Sequence, residues 1–117
     1  MSRSSAEYLN DILGSIDLVL RYADAFDVRN PTDSGEGRDA ISFRLVVVCE
    51  AAGRLPPDVQ ALAPDIPWAD IKGMRNLIVH SYWHIDFDII ATTLQNDIPP
   101  FRSTIERLLE IIERSEK

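Results

Sequence analysis

The chain has 117 residues, of which 45% are apolar and 26% are charged, and its formal net charge is −7. These values suit a single folded domain over residues 1–117, and the lone cysteine excludes an internal disulfide framework. The acidity argues against a protein that coats nucleic acid non-specifically, although a local basic site is compatible with it, because salt screens distant charges over ~8 Å. No segment approaches the ~20 apolar residues of a membrane span, and no signal peptide is apparent, so we expect a cytoplasmic domain without a membrane partner.

The first predicted helix runs from about residue 5 to residue 25. Ser4 and Glu7 match a capping box, the pairing that closes the start of a helix. Apolar residues then recur at helical spacing: Leu9, Ile12, Leu13, Ile16, Val19, Leu20 and Ala23. Residues 27–37 are rich in turn formers and predict a break after this helix.

The second predicted helix carries Ile41, Leu45, Val48, Ala52 and Leu55. Its apolar run over residues 45–49 is typical of a strand in isolation, but the flanking period favours a helix buried on more than one side. Within it, Cys49 is most simply a small buried hydrophobe. Three interpretations of Glu50 stay open: it orients Arg75, it caps a polar network, or it lies on a solvated face.

Four further segments complete the predicted fold. A short helix is expected over residues 57–63, and Pro67 suits the first turn of a helix that runs to about Tyr82. Two later segments follow, the first marked by Phe87, Ile90 and Leu94, the last by Phe101, Ile105, Leu108 and Ile112. No alternating strand pattern appears. The prediction is therefore an all-α, up-and-down bundle of four long helices plus one or two short ones.

The helix ending near Tyr82 is the most informative segment. On a helical wheel, one side carries Ile71, Met74, Ile78, Ser81 and Tyr82, with Arg75 at its edge. The other side carries Asn76, His80 and Trp83. Polar groups beside large apolar ones on both sides favour contacts on both faces, one of them with a second subunit.

Arg75 and His80 are five residues apart, about 140° around an ideal helix. Both reach one phosphate only if the long Arg75 side chain bends round, if the helix is distorted, or if a second copy approaches across a two-fold axis. His80 and His84 have the i, i+4 spacing of two metal ligands, but no Glu lies between them and no third ligand is anchored. We therefore predict no metal and no cofactor.

The segment Arg75 to Tyr82 (RNLIVHSY) resembles the signature of the HepT family, in which an Arg is followed after four residues by a His and after one more by a Tyr. HepT proteins are toxins of the HEPN superfamily of small helical ribonucleases. The flanking residues agree: Ile66-Pro67-Trp68 resembles the opening of the family's motif helix, and Met74 precedes the Arg.

The resemblance extends along most of the chain. Residues 8–13 are similar to the family's first helix, and Glu50-Ala51-Ala52 is similar to a segment of its second helix. Asp97-Ile98-Pro99-Pro100 resembles the turn before its last helix. The resemblance thus covers nearly all of the chain.

The resemblance implies a metal-independent endoribonuclease that acts as a homodimer. It also implies a toxin neutralised by a nucleotidyltransferase antitoxin of the MntA type, which can add AMP to the motif tyrosine, here Tyr82. RNA would be the substrate, with Arg75 and His80 as catalytic residues and Asn76 supporting the His80 ring. The chemistry agrees, because cleavage without a metal needs a proton acceptor for the 2′-hydroxyl and a cation for the phosphate. The alternative is a non-catalytic helical subunit that binds substrate or regulates a nucleotidyltransferase.

Overall fold

A computed structural model describes residues 3–29 and 35–115. These residues form six α-helices and no β-strand: α1 (Ser5–Ala25), α2 (Gly35–Gly53), α3 (Pro57–Gln60), α4 (Trp68–Ser81), α5 (Phe87–Thr92) and α6 (Ile98–Ser115). Four of the six are long, and α3 and α5 are short. The predicted all-α bundle is confirmed.

Helix α1 begins at the predicted capping box. The Ser4 hydroxyl accepts from the Glu7 backbone N–H at 3.2 Å, and the Glu7 carboxylate accepts from the Ser4 N–H at 3.4 Å. The helix ends at Ala25, where the Phe26 N–H donates to the Tyr22 carbonyl at 2.8 Å. Both predicted ends of α1 are confirmed. At the start, the capping box provides partners for N–H groups that the first turn of a helix otherwise leaves without one.

Helix α2 is buried on several sides, as predicted. Its buried residues are Gly37, Ile41, Ser42, Leu45, Val48, Cys49, Ala51 and Ala52. The helix begins at Gly35, so the last residues of the predicted break are helical; residues 30–34 lie outside the described part of the chain. Gly37 allows α2 to begin close to Phe26, because a Cβ at position 37 would overlap the Phe26 side chain.

The connection between α2 and α4 is held by side-chain to backbone hydrogen bonds. Gln60 donates from Nε2 to the Ala52 carbonyl of α2 at 3.1 Å. The Trp68 indole N–H donates to the carbonyls of Gln60 and Ala63, each at 3.2 Å. Helix α3 ends at Gln60, short of the predicted residue 63. Pro67 lies at the N-cap position just before α4, not in its first turn, and its side chain makes no capping hydrogen bond.

Helices α5 and α6 are joined without a break in helical backbone. A π-helical segment, Thr93–Asp97, connects them, and the Ile98 N–H bonds five residues back to the Thr93 carbonyl. Pro99 and Pro100 follow this segment directly as the second and third residues of α6, and because proline has no N–H, neither can donate a hydrogen bond back to it. The chain is therefore helical through residues 97–100, where the resemblance implied a turn.

The core lies between α1, α2 and α6. Its largest fully buried side chains are Leu9, Ile12, Ile16, Val19, Ile41, Leu45, Ile90, Ile105 and Leu108. Helix α4 packs against α2 from outside, and Ile78 is its one buried residue. Most of the α4 surface is therefore open to contacts. Within the described ranges, every helix is too short or too polar to cross a bilayer.

Candidate active site on helix α4

Arg75 is oriented by two neighbours. Its Nε donates to Oε1 of Glu50 on α2 at 2.5 Å, and its Nη1 donates to Oδ1 of Asn76 at 3.1 Å. Of the three interpretations of Glu50, the structure therefore selects the one in which it orients Arg75. Asn76, predicted to support the His80 ring, instead contacts the Arg75 guanidinium.

A cavity of about 320 Å³ opens beside this pair, between α2 and α4. It is lined by Cys49, Glu50, Gly53, Arg54, Lys72, Arg75 and Asn76. Three of these side chains are cationic and one is anionic, in a chain whose net charge is −7. Such a local excess of positive charge can attract a phosphate, because distant carboxylates are screened by salt.

His80 lies on a different face of α4. Its side chain is exposed, it does not line the Arg75 cavity, and it makes no hydrogen bond to the described residues. The backbone of α4 is regular from Trp68 to Ser81, so Arg75 and His80 stay about 140° apart. A distorted helix is thereby excluded as the means of bringing them together within one chain.

Tyr82 marks the end of α4 and begins a 3₁₀ turn, Tyr82–His84. Its hydroxyl donates to the Asp39 carboxylate at the start of α2, and its ring meets Trp83 and Phe87 edge-on at 6.4 and 6.3 Å. Burial, and then the Asp39 carboxylate, raise the pKa of Tyr82 to about 12. No local sequence pattern predicts this contact, because Asp39 is 43 positions away from Tyr82.

The exposed face of α4 also carries large apolar side chains. Leu77 is 40% exposed, Val79 is 46% exposed, and Trp83, just beyond the helix, is 90% exposed. Asn76 and His80 lie among them and are exposed as well. The predicted second face of α4, on which Asn76 and His80 lie beside large apolar side chains, is confirmed, and in this single chain it is exposed to solvent.

Neither Cys49 nor His84 has the surroundings of a catalytic or metal-binding side chain. Cys49 is buried, and burial raises the pKa of its thiol to about 12, which makes it a poor nucleophile. His84 is exposed in the 3₁₀ turn. Across residues 3–29 and 35–115, no three His, Cys, Asp or Glu side chains are grouped so that they could hold a metal ion.

Comparison with known proteins identifies the family. A family model described as ribonuclease HepT-like matches residues 12–108. The chain is 29% identical to a "Probable ribonuclease HepT" of Thermococcus cleftensis, over 92% of this chain and 98% of that protein. It is 25% identical to a candidate RNase of Methanocaldococcus jannaschii, over 95% and 96% of the two chains. No solved structure matches significantly. The chain therefore belongs to the HepT-like ribonuclease family.

Proposed function

We propose that this protein is a metal-independent endoribonuclease and the toxin of a bacterial toxin–antitoxin pair. The observation that carries the proposal is the basic cavity around Arg75 in an otherwise acidic chain. Two hydrogen bonds set the orientation of the Arg75 guanidinium. A guanidinium held in this way can bind a phosphate in one defined position, which a freely rotating side chain cannot do as well.

In this mechanism Arg75 binds the scissile phosphate. Its Nε and Nη1 are occupied by Glu50 and Asn76, while Nη2 makes no hydrogen bond to the described residues. Nη2 is therefore available to a phosphate oxygen. As the 2′-oxygen attacks, negative charge builds on the phosphate, and a preorganised guanidinium stabilises it.

His80 supplies the proton chemistry. An imidazole accepts and releases protons near neutral pH, so His80 can take the proton of the 2′-hydroxyl. The 2′-oxygen then bonds to phosphorus, and the bond from phosphorus to the 5′-oxygen breaks. A second His80 protonates the leaving 5′-oxygen. The products are a 2′,3′-cyclic phosphate and a 5′-hydroxyl, with no metal ion in the reaction.

The second His80 requires a homodimer. Arg75 and His80 point about 140° apart in one chain, so a groove shared by two copies is the simplest way to assemble both. The exposed Leu77, Val79 and Trp83 give the α4 face an apolar surface that a second copy can cover. Light scattering at micromolar concentration is expected to report twice the chain mass of 13.2 kDa.

Control is proposed to come from a nucleotidyltransferase antitoxin of the MntA type that adds AMP to Tyr82. The phosphodiester adds about one negative charge beyond the end of α4, where it repels an RNA strand that crosses this face, and the adenosine blocks access. Intact mass measurement after co-expression is expected to give additions of AMP units that Tyr82→Phe abolishes. Additions that persist in Tyr82→Phe would place the modification on another residue.

A second candidate function is a non-catalytic helical subunit that binds substrate or regulates a nucleotidyltransferase. The divergence of Arg75 and His80 on a regular helix favours it, because a chain that stays monomeric has no site that contains both residues. This candidate predicts tight binding to the nucleotidyltransferase and no RNA cleavage by the purified chain.

RNA cleavage in the presence of EDTA tests the primary proposal. His80→Ala is expected to lower the rate by ~10²-fold or more, through the loss of general acid–base catalysis. Arg75→Ala is expected to be similarly harmful, at a few kcal/mol of lost charge stabilisation. His84→Ala is the matched control, since it removes an exposed histidine four residues along. Cleavage that requires Mg²⁺, or that survives His80→Ala, contradicts the mechanism.

A further inference from the structure

We propose that Asp39 is the general base for the modification of Tyr82, so that this chain itself supplies the group that removes the phenolic proton. The inference rests on the proposed AMP transfer and assigns one of its catalytic residues to the toxin. Its basis is the hydrogen bond that the Tyr82 hydroxyl donates to the Asp39 carboxylate.

The two groups are held together by different helices. Asp39 lies near the start of α2, and Tyr82 follows the last residue of α4, so their contact depends on the packing of these helices. The Tyr82 ring is kept in place by edge contacts with Trp83 and Phe87. Asp39 is exposed, and its Oδ2 has no hydrogen-bond partner in the described part of the chain. A proton taken by the carboxylate can therefore pass on to solvent.

The nucleophile needs such a base. Because the pKa of Tyr82 is raised to about 12, very little phenolate exists near neutral pH. The proton must then leave during the transfer step. The Tyr82 hydroxyl oxygen forms a bond to the α-phosphorus of ATP, and the bond to pyrophosphate breaks with its electron pair. The phenolic proton moves to Asp39, and AMP stays on the oxygen as a phosphodiester.

A cation lies next to this pair. Arg38 donates from Nε to the Val28 carbonyl at 2.8 Å, and its guanidinium lies 4.1 Å from the centre of the Phe87 ring. These contacts hold a positive charge close enough to act on the Tyr82 hydroxyl. It can attract the triphosphate of the incoming nucleotide to the nucleophile. Nucleophile, base and cation thus come from two segments of this chain.

A structural role for Asp39 makes a different prediction from a catalytic one. An Asn at this position keeps the shape and a hydrogen-bond acceptor, but it cannot take up a proton. Asp39→Asn therefore separates the two roles. Asp39→Glu restores the carboxylate on a longer side chain. Asp88→Asn is the matched control, because Asp88 is an exposed carboxylate that pairs with Arg29, whereas the Tyr82 hydroxyl donates to Asp39.

The experiment measures the initial rate of AMP addition by intact mass, with ATP and a purified nucleotidyltransferase of the MntA type. At saturating toxin, Asp39→Asn is expected to lower the rate by about 10²-fold while binding to the transferase stays unchanged. Asp39→Glu is expected to recover part of the rate, Asp88→Asn to match the wild type, and Tyr82→Phe to accept no AMP. Equal rates for wild type and Asp39→Asn overturn the assignment of Asp39 as the base, but leave the proposed AMP transfer to Tyr82 standing. A wild-type chain that never accepts AMP overturns both this inference and the proposed mode of control.

Discussion

Glu50 and Arg75 connect α2 to α4 through a hydrogen bond of 2.5 Å between Oε1 and Nε. The side chains are 40% and 32% exposed, so water weakens their mutual attraction. A pair of this kind adds at most ~1 kcal/mol to the free energy of unfolding. Its main effect is geometric, because it determines where the guanidinium lies relative to the basic cavity.

Removal of the Glu50 carboxylate should therefore affect activity more than stability. Glu50→Ala is expected to lower RNA cleavage by about tenfold or more, because a small misplacement of a binding group can cost up to ~10²-fold. Glu50→Gln keeps an acceptor for Arg75 Nε and is expected to retain most of the activity. The measurements are cleavage rates and urea unfolding midpoints for both variants.

Glu106→Ala is the control for Glu50→Ala. It removes an exposed carboxylate that pairs with Arg102 on α6, outside the basic cavity, and its cleavage rate should equal that of the wild type. Unchanged cleavage by Glu50→Ala would contradict a positioning role for Glu50.

Mixing two inactive variants tests whether the site is shared between copies. A dimer of one Arg75→Ala chain and one His80→Ala chain keeps one copy of each residue, whereas each parent dimer lacks one residue entirely. After subunit exchange the mixture is expected to regain part of the wild-type RNA cleavage, through Arg75 of one chain and His80 of the other. The rate stays below that of the wild type, because the second His80, which protonates the leaving 5′-oxygen, is missing. A site contained within one chain predicts no recovery, since neither chain then has both residues.

The Tyr82 phenol should make stability depend on alkaline pH. Its pKa is about 12 in the folded chain and 10 as the reference value, so unfolding releases a proton between these limits. The stabilising contribution is complete below pH 10 and is lost as the pH rises toward 12. Tyr82→Phe should flatten this part of the stability curve, as measured by urea unfolding, and ultraviolet difference absorbance should detect the late titration. Identical curves for the two proteins would contradict the prediction.

Cys49 should be unreactive while the chain is folded. Its thiol is buried, and burial raises its pKa to about 12, so the reactive thiolate is scarce at mildly alkaline pH. Iodoacetamide is expected to alkylate Cys49 only slowly, with the rate rising steeply through the urea unfolding transition. Alkylation of the native protein as fast as that of a small free thiol would contradict this assignment.

The sequence predicts the parts of the fold that depend on local signals. Ser4 and Glu7 mark the start of α1, as the structure confirms. The wheel places Ile78 and His80 on opposite sides of α4, and in the structure Ile78 is buried and His80 is exposed. The π-helical segment Thr93–Asp97 is not apparent, because two short apolar stripes with prolines between them are equally consistent with two helices and a turn.

The site is less predictable, because its contacts join distant positions. Glu50 is 25 residues from Arg75, and no local pattern distinguishes an oriented guanidinium from a solvated one. Asp39 is 43 residues from Tyr82 and precedes the apolar run of α2, where a carboxylate is an ordinary surface residue. Such pairs follow only from the packing of α2 against α4, to which many separate side chains contribute.

The two tryptophans of the chain have contrasting surroundings. The Trp68 indole N–H is shared between two backbone carbonyls, and its ring meets Phe101 edge-on at 6.4 Å. Trp83, in contrast, is 90% exposed beside the α4 face that carries His80. The molecule therefore carries two native fluorophores that report on different events. Emission from Trp68 follows the integrity of the bundle, and emission from Trp83 follows whatever covers α4. A Trp83→Phe chain isolates the first signal, so assembly and unfolding can be observed separately without an added label.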